Sequence, residues 1–192
     1  MRIAFCLFKY SPYSGLSLDF LRILEECQKR GHDTHVFVSE WRGERPVGVQ
    51  FTVLESPTFS LKFSNHAQNE QFHNKLQAEL EKQAFDAVVG FNKMPGLDLY
   101  YGADSCYVGD KVPQYPAIYK VFSRRYKGRY SFEEAVFGVE SRTLILSLSE
   151  GQKTTTKSII SLPMTDSTYS HQRWTLVSHQ LQIALTKEKS SA

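Results

Sequence analysis

Residues 85–107 read FDAVVGFNKMPGLDLYYGADSCY, and this stretch decides the fold. Ala87, Val88 and Val89 form a short apolar run between Asp86 and Gly90, the pattern of a parallel strand covered on both faces. Phe91 to Gly96 (FNKMPG) then places an amide, an ammonium and a Pro-Gly turn at the strand's carboxyl end, where open α/β sheets hold their ligands. From Leu97 the chain returns through apolar and aromatic residues to a lone carboxylate, Asp104.

The segments before it repeat the same logic. Arg2 to Phe8 (RIAFCLF) is an apolar strand, and Lys9 to Ser14 is a turn-rich loop containing Pro12. Phe20, Ile23, Leu24 and Cys27 recur at helical spacing within Leu16 to Lys29, and Gly31 stands where a C-terminal cap is expected. Thr34 to Val38 reads as the next strand, so the first unit is a right-handed β-loop-α-β whose loop opens at the ligand edge. Gln50 to Leu54 is a further strand, and Glu55 to Ser64 has no clear period. Ala67 to Ala84 places Phe72, Leu76 and Leu80 on one helical face and feeds the central strand. Lys111 to Phe137 is basic, aromatic and helical after Pro116, and Thr143 to Leu148 is the last strand.

A chain of 192 residues suits one well-buried domain and is short for two. The formal charge of +3 is too small to imply a partner, so the distribution of charge carries more information. Cys6, Cys27 and Cys106 are odd in number, widely spaced and set mostly among apolar residues, which reads as reduced core thiols of a cytoplasmic protein. No run approaches the roughly 18 apolar residues of a membrane span. Ile3 to Phe8 meets Lys9 and the Pro12 loop too soon for a signal peptide. Membrane contact is therefore expected to be peripheral.

Four groups of residues carry chemistry. Gly15 precedes the first helix, where a missing Cβ lets backbone N–H groups approach an anion, although a single glycine at a strand-to-helix turn more often meets a turn requirement. Asp19 lies one turn further, either facing the cleft or serving as a solvated carboxylate near a helix N-terminus. Asn65 and His66 open an amide-rich segment that suits hydroxyl recognition or a helix cap. Around the central turn, Asn92 and Lys93 could meet phosphate, while Asp104 could contact a reacting sugar or stabilise developing positive charge. Asp98 fits a structural hydrogen-bonding role as well as a site role. The basic residues Lys111, Lys120, Arg124, Arg125, Lys127 and Arg129 interleave with Tyr115, Tyr119, Phe122, Tyr126 and Tyr130. That pattern suits an anionic membrane surface, RNA, or simply a solvated helix face. The chain has no Asp-x-Asp pair for a metal-bound diphosphate, and His32 with His35 lacks further ligands, so no metal is expected.

The string GFNKMPGLD, followed by the Ala103-Asp104 pair and Cys106-Tyr107, resembles the lipopolysaccharide core glucosyltransferase I family. These are retaining GT-B enzymes of glycosyltransferase family 4, and the resemblance runs from residue 1 to about residue 150. It implies an α/β, Rossmann-like three-layer sandwich with a mainly parallel sheet, equivalent to the N-terminal half of a GT-B enzyme. It implies transfer of glucose from UDP-glucose to a heptose of the lipid A core, with retention and without a metal or other cofactor. Carried onto this sequence, Gly15, Asp19, Asn92 and Lys93 fall on donor phosphate or sugar, Asn65 and His66 on the acceptor, and Asp104 on the reacting centre. Two departures stand out: Ser14 replaces the first glycine of a pair, and Leu18 replaces an arginine. The resemblance also favours the cytoplasmic face of the bacterial inner membrane over nucleic acid as the partner of the basic segment. A non-catalytic binding module built on residues 111–130 is the alternative reading. A dehydrogenase half is disfavoured, because the first loop lacks Gly-x-Gly-x-x-Gly.

Residues 151–192 match nothing in that family and are expected to be an aberrant, weakly ordered tail. Read one nucleotide upstream, codons for residues 154–174 can encode NDYKKYYQ, one ambiguous residue, and then ADDRFYILPPAVD. The second part resembles the crossing into a donor-binding domain. The expectation is therefore a frame interrupted near residue 153, with residues 154–192 non-native, the donor domain absent and transfer by this chain alone negligible. A naturally short acceptor-domain protein is the rival.

Overall fold

A computed structural model describes residues 1–55, 65–104 and 116–147. The elements in chain order are β1 (Arg2–Tyr10), α1 (Gly15–Lys29), β2 (Asp33–Trp41), β3 (Gln50–Val53), α2 (Asn65–Leu80), β4 (Ala87–Gly90) and β5 (Leu99–Gly102). Two further helices, α3 (Ala117–Phe122) and α4 (Arg124–Phe137), lead to β6 (Leu144–Ser147). Among the described residues six strands form one sheet in the order β3-β2-β1-β4-β5-β6, and each of their pairings is parallel.

Alternation along β1 explains the layers. Ile3, Phe5 and Leu7 point to one face and pack with Phe20 and Leu24 of α1, together with Val36 and Val38 of β2. Ala4 and Cys6 point to the other face, where Phe72 and Leu76 of α2 and Val136 and Phe137 of α4 complete a second core. Both faces are covered, which is why the strands read as continuous apolar runs and not as alternating ones. The result is the expected three-layer α/β sandwich.

The order of strands creates a switch point. From β1 the chain moves outward to β2 and β3, then returns to place β4 on the opposite side of β1. The loops leaving β1 and β4 therefore diverge at the carboxyl edge, opening a crevice between them.

Several boundaries differ from the sequence reading. β1 and β2 continue to Tyr10 and Trp41, whose rings stack at 3.7 Å and 9°. This aromatic pair extends the ladder past the polar Lys9 and Glu40, where the reading had stopped. Leu99 to Gly102 is a true strand, although it follows β4 after only a short turn. Parallel neighbours normally need a crossover of a dozen or more residues. Here the stagger removes that need: Leu99 pairs with Val89, so the chain has to drop only about one strand residue, roughly 3.3 Å, after Gly90. The long helix expected after Pro116 is split at Ser123, whose extended backbone (ψ 110°) ends α3 and whose hydroxyl accepts from Tyr126 N at 3.1 Å, capping α4.

Candidate active site

The first loop is closed by its own hydrogen bonds. Ser14 N donates to Ser11 O at 3.1 Å, and Ser11 N donates to the buried Ser17 hydroxyl at 3.2 Å. Ser14 provides no side-chain cap for α1, so the helix begins with uncapped N–H groups. A Cβ on Gly15 would meet nothing within 4 Å, and this glycine has no left-handed backbone to excuse it. Packing therefore does not require glycine there; open access to the helix N-terminus is what its small size leaves.

Asp19, one turn further, is held from two sides. Tyr101 at the end of β5 donates its phenol to Asp19 Oδ2 at 2.9 Å, and Arg22 lies 3.6 Å from Oδ1. Burial, the hydrogen bond to Asp19 and the carboxylate's charge all push the Tyr101 phenol well above its usual range, so it remains a donor. This contact joins α1 to the strand end that leads into Asp104, which is exposed two residues beyond β5. Leu18, at the position of the family's arginine, is exposed.

The central turn is fastened along its length. Phe91 N donates to Cys6 O at 2.9 Å, and Phe8 N donates to Asn92 Oδ1 at 2.8 Å, extending the β1–β4 ladder through a side chain. Met94 and Leu97 are buried, and Gly96 adopts φ +79°, which only glycine enters cheaply. Asp98 closes the turn: its carboxylate accepts from Val88 N at 2.8 Å while its own N–H donates to Val88 O at 2.9 Å. Of the two roles open to Asp98, the structural one is thus present. Lys93 turns away from solvent. Its ammonium lies 2.5 Å from Glu133 Oε1 of α4 and 5.5 Å from the centre of the Phe137 ring.

The arrangement thus brings Gly15, Asp19, Asn92 and Asp104 to one sheet edge by topology, and joins Asp19 to that edge through Tyr101. Lys93 starts at the same edge but points to α4. Asn65 and His66 are the first two residues of α2, and the description covers their backbone alone. Lys111 lies outside the described residues, as do Cys106 and the tail. Among the described basic residues, Arg124, Arg125, Lys127 and Arg129 are exposed and Lys120 is half-buried. Beside them Phe122 is 78% and Ile118 68% exposed. The described residues contain no helix long and apolar enough to cross a membrane, and no group of three metal-binding side chains.

Sequence reasoning missed two partners. Tyr101 carried a faint signal, since a tyrosine three residues before the candidate carboxylate has a polar tip to place. Glu133 carried none, because nothing in a charged helix marks which glutamate faces inward.

A doubly wound parallel sheet with an open helix N-terminus at its switch point defines a Rossmann-like domain of the kind that GT-B folds carry. The relatives agree. The chain is 38% identical over 152 residues to the lipopolysaccharide glucosyltransferase WaaG of Escherichia coli (strain K12), covering 79% of this chain and 39% of that protein. The crystal structure of WaaG, described as a glycosyltransferase involved in lipopolysaccharide biosynthesis, matches with a TM-score of 0.74 at 34% identity, covering 81% of this chain and 41% of that one. No family model matches. The resemblance carried by GFNKMPGLD thus holds over about four fifths of the chain, which spans about two fifths of the length of the relatives it matches.

Proposed function

We propose that this chain is the acceptor-side half of a retaining glucosyltransferase that moves glucose from UDP-glucose to a heptose of the lipopolysaccharide inner core. The observation that carries the reading is the 38% identity over 152 residues to a lipopolysaccharide glucosyltransferase. In this proposal the open N-terminus of α1 at Gly15 faces the donor's diphosphate, where the helix dipole offsets charge on the leaving group. Asp19 and Asn92 orient sugar or phosphate oxygens. Asp104 faces the reacting sugar and stabilises positive charge as it develops at the anomeric carbon. Asn65 and His66 contact acceptor hydroxyls. No metal or other cofactor enters the reaction, in keeping with the lack of an Asp-x-Asp pair. The matched segment spans about two fifths of the relatives' length, which supports reading it as one half of such an enzyme.

The acceptor is lipid-linked, and the proposal includes its surface. Exposed Phe122 and Ile118 beside Lys120, Arg124, Arg125, Lys127 and Arg129 favour docking on the anionic cytoplasmic face of the inner membrane. Exposed apolar side chains within a basic patch favour lipid over nucleic acid.

The test is an assay of glucose transfer from UDP-glucose to heptose-terminated core lipopolysaccharide. It compares this chain with one that continues after residue 153 in the alternate frame of the gene. Transfer by the restored chain alone supports both the family and the interruption. Transfer by neither, together with salt-sensitive binding to anionic vesicles or RNA, favours the non-catalytic module.

A further inference from the structure

Lys93 and Glu133 are both withdrawn from water, their side chains 12% and 5% exposed. A buried charge is tolerated only when paired, so removing one member of the 2.5 Å contact leaves the other charge stranded. The pair also spans two parts of the molecule that share no sequence neighbourhood. Lys93 stands in the middle of the turn from Phe91 to Asp98, and Glu133 lies on α4, the helix that carries the exposed Arg124, Arg125, Lys127 and Arg129. The two ends of the turn are already fixed to β1 and β4 by the Phe91–Cys6, Phe8–Asn92 and Asp98–Val88 hydrogen bonds. Its middle is fixed by the ion pair and by the burial of Met94.

We propose that Glu133 is a positioning residue: from α4 it holds the Lys93 side chain, and through it the Asn92–Lys93 turn, against the carboxyl edge of the sheet. Lys93 is then an anchor and not a phosphate ligand. Cationic help for a diphosphate must come from other groups, such as the α1 N-terminus. The functional meaning rests on the transferase reading, because that reading makes this turn part of a sugar-transfer site. The mechanical claim does not.

The experiment is hydrogen exchange on the full 192-residue chain, read at individual amides, with denaturant unfolding measured alongside. Glu133→Gln keeps the shape but removes the counter-charge, and the expected result is exchange at least about tenfold faster across residues 92–97. Amides of β1 and β2 should change only as global stability changes. A charge-free pair, Lys93→Met with Glu133→Leu, removes the buried ions together and is expected to recover wild-type stability. Its turn should nevertheless still exchange about tenfold faster, because the directional contact is gone. Lys93→Arg keeps the pair and should restore wild-type protection of the turn. Wild-type exchange of residues 92–97 in the charge-free pair would overturn the proposal, as would a rise in Glu133→Gln spread evenly over the sheet. No sugar transfer is involved, so failure of the glucose assay with selective loosening intact would sink the transferase reading and leave this one standing.

Discussion

Replacing Gly90 by alanine puts a methyl group where Leu97 already stands. A Cβ built on Gly90 would overlap Leu97 Cδ1 and lie 2.7 Å from Cδ2 and 3.0 Å from Cγ. Leu97 cannot retreat: it is buried in the core shared with Tyr100, Val136 and Phe137. Its backbone is pinned by Thr143 Oγ1, which donates to Leu97 O at 2.8 Å, and by the Asp98–Val88 hydrogen bond at 2.9 Å. Overpacking a closed core costs about 1–3 kcal/mol. A glycine in a strand without this contact would instead be worse than alanine by about 0.5–1 kcal/mol. The sign of the effect therefore decides. We expect Gly90→Ala to destabilise by about 2 kcal/mol, lowering the melting temperature by about 4–8 °C for a chain of this size. Leu97→Ala alone should cost about 2–5 kcal/mol. In that background Gly90→Ala should become neutral or favourable, a coupling visible in a double-mutant cycle by urea unfolding. Unchanged or increased stability of Gly90→Ala in the wild-type background would refute the packing of β4 against the central turn.

Phe122→Ser combined with Ile118→Ser should weaken partition onto phosphatidylglycerol vesicles by about tenfold or more, since each buried apolar side chain contributes about 1.5–3 kcal/mol; equal partition in a sedimentation assay would remove the membrane face from α3. Burial lowers the pKa of His73, and burial followed by the Arg2 charge lowers that of His35. The neutral rings are thus favoured in the fold, and the stability they contribute is complete above the unfolded value of about 6.5 and is lost as pH falls towards the folded values. Urea unfolding at pH 7.5 and 5.5 should show that loss in the wild type and a smaller one in His73→Leu; identical losses would count against a buried neutral His73. Burial raises the Cys6 thiol far above its usual range, so peptide mapping after native alkylation should find Cys6 unmodified and label it only on unfolding. Tyr101→Phe keeps the ring but removes the phenol that donates to Asp19 Oδ2, and should cost about 1 kcal/mol in urea unfolding; unchanged stability would argue against the 2.9 Å hydrogen bond.

Much of the fold was legible because parallel strands covered on both faces leave continuous apolar runs, as at Ala87 to Val89, and because α1 shows its face at Phe20 and Leu24. The β5 strand was not legible, because its short connection depends on stagger against β4, a property of two strands together. Tyr10 and Trp41 lay beyond the expected strand ends for a similar reason: only their mutual stacking extends the pair. At the carboxyl edge of the sheet, the strand ends were legible but the direction of side chains was not. Lys93 had the right place and the right charge for a phosphate, yet its stem runs to Glu133, forty residues away. Ser123 shows the same limit in small form, since a residue inside a helical run became the cap that divides it.

The most direct test of the central claim is glucose transfer from UDP-glucose to heptose-terminated core lipopolysaccharide, measured for this chain and for the chain continued in the alternate frame after residue 153. The account expects transfer by the continued chain and loss of that transfer in its Asp104→Asn variant. No transfer by the continued chain, or full activity of its Asp104→Asn variant, would contradict it.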